Sequence, residues 1–123
     1  MNKKDKAVVI NSRESGWKVG YETQVKNKLY LCAFGEVVYS DHFLERMKQR
    51  NLRIPTIRTL IYGKVIEVAL KKEEVTRAVI SIKESEKRDK EFVVGFENDN
   101  SLIFITVYSR KRKGEWYYVY YCS

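Results

Sequence analysis

The spacing of apolar residues changes at Gly63, and that change limits the folds open to the chain. Before it, Phe43, Leu44 and Met47 recur at helical intervals, with His42, Arg46, Gln49 and Arg50 falling on another side. Ser40 and Asp41 suit a helix N-terminus, which predicts a first helix over 41–51. Pro55 suits the first turn of a second helix with Ile57, Leu60 and Ile61 buried. Gly63 would end it in a left-handed conformation. After Gly63 apolar residues alternate with a period of two, the signature of strands buried on one face. Strands are predicted over 64–70, 76–83, 91–97, 102–108 and 116–122. The polar turn Asn98-Asp99-Asn100 and other short connections make them an antiparallel meander. Two helices packed on one face of such a sheet give an α+β domain.

Residues 1–38 carry weaker signals. Glu14-Ser15-Gly16 and Lys26-Asn27-Lys28 read as turns, and 29–39 holds strand-forming residues broken by Gly35. An N-terminal hairpin or irregular extension over 1–38 is expected, leading into the main domain at 39–123. The total of 123 residues fits one domain, and 44% hydrophobic content excludes general disorder. The opening residues MNKKDKAVVI have too short an apolar run for a signal peptide or a membrane span, so a cytoplasmic, soluble protein is expected. Cys32 and Cys122 form no CxxC and have no histidine nearby, so no zinc set is expected and the thiols read as reduced.

Lys and Arg number 24 against 16 Asp and Glu, a net charge of +8. That balance favours a polyanionic partner, because neutralised phosphates release counterions. Three groups of residues could act on one. His42, Arg46 and Arg50 are spaced by four, which stacks them on one helix face. The imidazole can give and take a proton while the arginines grip a phosphodiester. The competing reading is a solvated helix face. Arg110, Lys111, Arg112 and Lys113 form a run in a predicted loop over 109–115, either a phosphate-binding finger or charges that discourage strand pairing. With Arg53 and Arg77 they are the candidate nucleic-acid-binding residues. Tyr108, just before the run, is a candidate proton donor or stacking platform, and the tyrosines of EWYYVYYCS either stack on bases or brace the sheet. Walker, GxGxxG, HExxH and GxSxG motifs do not occur, so nucleotide hydrolysis, dinucleotide chemistry, zinc proteolysis and serine hydrolysis lack support, and no cofactor or metal is expected.

YSDHFLERMKQRNLRIPTIRTLIYGKVIEV, followed by VVGFENDNSLIFITVYS, resembles a small bacterial domain-of-unknown-function family with a His-x3-Arg-x3-Arg helix. The resemblance covers about 39–108, and the family is grouped with the RelE/ParE-like, barnase-like RNase toxin superfold. It implies two helices on a four-stranded antiparallel sheet and a positive groove for RNA. It also implies a metal-independent endoribonuclease in which His42, Arg46 and Arg50 match the motif. RNA, including RNA on the ribosome, and an antitoxin protein are the partners it implies. A non-catalytic nucleic-acid-binding or protein-interaction module, of the kind mobile elements or phages encode, is the alternative.

Overall fold

The computed structural model of the protein describes residues 7–98 and 100–111. They form a six-stranded mixed sheet with three helices. The order along the chain is β1 (Val8–Asn11), α1 (Val19–Cys32), β2 (Glu36–Tyr39), α2 (Asp41–Gln49), α3 (Ile57–Tyr62), β3 (Lys64–Lys71), β4 (Glu74–Lys83), β5 (Arg88–Asn98) and β6 (Ser101–Lys111). The strands lie in the order β1-β3-β4-β5-β6-β2. Among the described residues no helix is long and apolar enough to cross a membrane.

The expected two helices on a four-stranded antiparallel sheet are corrected here. The meander β3 to β6 does pair antiparallel. The N-terminal region, read as a hairpin or irregular extension, extends the sheet at both ends. β1 adds antiparallel to β3 and β2 adds parallel to β6. Between them runs α1, the longest helix, which takes in the supposed turn at 26–28. Its buried residues Tyr21, Val25, Leu29 and Cys32 recur every three or four positions, so they line one narrow stripe. They join Phe43 and Met47 of α2, Leu60 of α3 and the inward residues of the strands in a single core. Cys32 is free and buried there, and burial pushes its thiol up from the usual range. Cys122 and the strand expected over 116–122 lie outside the described residues.

The helix ends also depart from expectation. Pro55, expected in the first turn of α3, precedes the helix, and Thr56 caps it, its hydroxyl accepting from the Thr59 N–H at 3.2 Å. Gly63 is extended (φ −72°, ψ 169°) rather than left-handed. A Cβ there would sit 2.5 Å from Ile80 Cγ2, so glycine is needed for close approach to β4. A Cβ at Gly35 would lie 1.8 Å from the Asn100 carbonyl oxygen, which explains how β2 enters the sheet beside β6. The α3 C-terminus is held from α1, where Lys26 Nζ donates to the carbonyls of Ile61 and, at 2.6 Å, Gly63.

Candidate nucleic-acid interface

All three helices pack on one face of the sheet, and the other face carries a concavity of about 800 Å³. Strand register explains its lining, since residues facing one another across neighbouring strands point to the same side. Tyr108, Glu91, Ser81 and Lys64 form one row across β6, β5, β4 and β3. Thr106, Val93, Val79, Glu67 and Asn11 form the next. Ile66 and Ile105, each at a break in the ladder, add apolar floor. The cations on its wall are Arg13, Lys64, Arg77, Arg110 and Lys111, against the carboxylates Glu67, Asp89 and Glu91. Arg110 Nε donates to Glu91 Oε1 at 2.9 Å, with the carboxylate side chain largely shielded and the guanidinium mostly in water.

The α2 motif is set beside this face by its first residue. Ser40 is the N-cap, and its Oγ accepts from the Phe43 N–H at 3.0 Å. The same hydroxyl donates to the Ile105 carbonyl at 2.7 Å, and the Ser40 N–H donates to Phe104 at 3.0 Å. One serine thereby starts the helix and fastens it to β6. Beneath the helix Phe43 packs against Phe104 (centroids 4.9 Å apart), with Tyr39 stacked on Phe104 at 5.3 Å. Asp41 lies in the first turn and Lys48 in the last, each complementing the helix dipole.

The sequence-derived candidates divide into those the fold brings together and those it does not. Arg46 and Arg110 meet at Tyr108, their guanidinium carbons 5.7 and 5.6 Å from its ring centre. Arg46 is half-buried, and its Nε is shut off from water with no hydrogen-bond partner among the described residues. Arg77 and Lys111 line the concavity with Arg110 and Tyr108. His42 and Arg50 are exposed on α2 and line no part of the concavity, and Arg53 is exposed between α2 and α3. The basic run is not a loop as far as it is described: Ser109, Arg110 and Lys111 end β6, paired with Lys90, Asp89 and Arg88. Arg112 and Lys113 lie outside the described residues.

Sequence reasoning missed Arg13, Lys64, Glu91 and Thr106. Lys64 and Glu91 were inside expected strands, and extending the alternation to the outward residues would have put them on the open face with Tyr108. Arg13 carried no such signal, because it follows β1 in a region read only as a hairpin or irregular extension.

Comparison with known proteins adds a family and no more. The family model described as Domain of unknown function (DUF4258) matches residues 39–109. No curated protein and no solved structure matches the chain.

Proposed function

The chain belongs to the DUF4258 family, and from that premise we propose that it is a small RNA-binding protein that cuts RNA without a metal ion. The observation that carries this reading is the meeting of Arg46, Arg110 and Tyr108 at the edge of a cation-walled concavity. It joins Arg46 of the α2 motif to a surface that suits a phosphodiester chain.

RNA carries its own nucleophile. The 2′-oxygen attacks the adjacent phosphorus, the P–O2′ bond forms and the P–O5′ bond breaks. A base takes the proton from O2′ and an acid gives one to the departing O5′, leaving a 2′,3′-cyclic phosphate and a 5′-hydroxyl. His42 is the group for proton transfer, and Arg46 and Arg50 are the grips on the phosphoryl oxygens as their charge builds. Kinship with RelE/ParE-like toxins belongs to the same proposal, with an antitoxin protein as the partner and RNA on the ribosome as the setting.

A second reading, binding without cleavage, is favoured by one observation. His42 is exposed and has no hydrogen-bond or ion-pair partner among the described residues, so nothing there fixes its aim. Incubating labelled RNA with the wild type and His42→Ala separates the two. Cleavage and growth arrest that His42→Ala abolishes support the enzyme, and a shifted but uncut band for the wild type supports binding alone.

A further inference from the structure

We propose that the floor of the concavity is a base-binding subsite that selects single-stranded over duplex RNA; this rests on the RNA-binding reading above. Two features of the open face suit an unpaired base and not a closed helix. The first is its chemistry. The solvent side of an antiparallel sheet is ordinarily polar. Here Ile66, Val79, Val93 and Ile105 lie half-buried on the face that no described element covers, interleaved with Ser81, Glu67 and Glu91, while Arg13, Lys64, Arg77, Arg110 and Lys111 stand around them. A duplex presents phosphates and sugars outward and keeps its base faces stacked inside, so it matches the walls and not the floor. An unpaired strand offers both a charged backbone and free apolar ring faces.

The second feature is Thr106. Its side chain lines the concavity beside Tyr108, it is only 6% exposed, and its hydroxyl has no hydrogen-bond partner among the described residues. A buried hydroxyl without a partner is costly, and valine would fill the same space with no such cost. Rotation about χ1 to another staggered well moves the hydroxyl out of its buried position and can turn it toward the concavity that Thr106 lines. There it can either donate to or accept from a base edge. Because the Watson–Crick edge of every base carries both kinds of group, the contact holds an unpaired base without choosing among the four. Tyr108, two residues on along the same face, brings the guanidinium groups of Arg46 and Arg110 to the edge of this subsite, within reach of the phosphates that flank the base.

The test is fluorescence anisotropy with two labelled probes of equal phosphate count, a short oligouridylate and a perfect RNA duplex, at one salt concentration. The wild type is expected to bind the single strand more tightly. Thr106→Val is expected to weaken single-strand binding by about 2- to 10-fold, the loss of one neutral hydrogen bond, and to leave duplex binding unchanged. Its thermal midpoint should stay level or rise, which shows that the weaker binding is not unfolding. Duplex binding as tight as single-strand binding overturns the proposal with no variant needed. Single-strand binding untouched by Thr106→Val also overturns it. Absence of binding to either probe is a different result, the failure of the RNA-binding reading itself.

Discussion

If Tyr108 is what aims Arg46 along the open face, the two side chains must be energetically coupled, and a double-mutant cycle of Arg46→Met and Tyr108→Leu measures the coupling. Methionine keeps the aliphatic stem and leucine keeps apolar bulk, so the cycle isolates the guanidinium–ring contact. The distance of 5.7 Å is within the range of attraction. Such contacts contribute about 0.5–1 kcal/mol when exposed and about 2 kcal/mol when desolvated. Tyr108 is 37% exposed while Arg46 Nε is closed off, which places this pair between the limits, at about 1 kcal/mol. Arg110 touches the same ring at 5.6 Å but is already anchored by Glu91, so its coupling to Tyr108 should be smaller, about 0.5 kcal/mol or less. Urea denaturation of the wild type, both single variants and the double variant gives the interaction energy. A coupling below about 0.3 kcal/mol, the ordinary scatter of independent sites, refutes the idea that the ring positions Arg46.

Two further outcomes follow from the fold. Lys26→Met should lower stability by about 1–3 kcal/mol, because it removes charge-assisted donors from the last carbonyls of α3. Burial holds the Lys26 amine below its ordinary 10.5, with Glu22 opposing weakly, so between the lowered folded value and 10.5 the unfolded chain binds more protons. The contribution of Lys26 to stability therefore rises with pH through that window, and the difference between wild type and Lys26→Met should widen there in pH-dependent urea melts. Glu73→Gly should stabilise the β3–β4 hairpin by about 1 kcal/mol in thermal or urea unfolding, since Glu73 sits at φ 65° and glycine takes that conformation freely. Its exposed ion pair with Lys18, at 3.7 Å, is too weak to offset the gain.

The two halves of the chain differed in how openly they declared their structure. From Ser40 onward the local signals agree with one another, and the helix over Asp41–Gln49 and the meander from Lys64 emerge from periodicity alone. Before Ser40 they conflict. α1 has no side-chain cap at Lys18, carries Gly20 in its first turn and exposes Val19, Tyr30 and Leu31, so apolar residues fall on both sides of its buried stripe. Parallel pairing of β2 with β6 joins residues 65 positions apart, as in Val37 with Leu102, and local patterning cannot report a contact so distant. The same limit governs the site. The stacking of His42, Arg46 and Arg50 on one helix face was legible as spacing, whereas the approach of Arg46 to Tyr108 depends on Ser40 fastening α2 to β6. Thr106 gave no signal at all, because a threonine in a strand is ordinary until its neighbours are known.

The salt dependence of RNA binding tests the central claim most directly. If each of the five wall cations neutralises one phosphate of a single strand, the slope of log K against log salt is about −3.5, from about −0.7 per phosphate. Removing Arg77 or Lys111 should each make it shallower by about 0.7. Binding with a slope near zero, or a slope that neither substitution alters, would contradict the assignment of the open sheet face as the RNA interface.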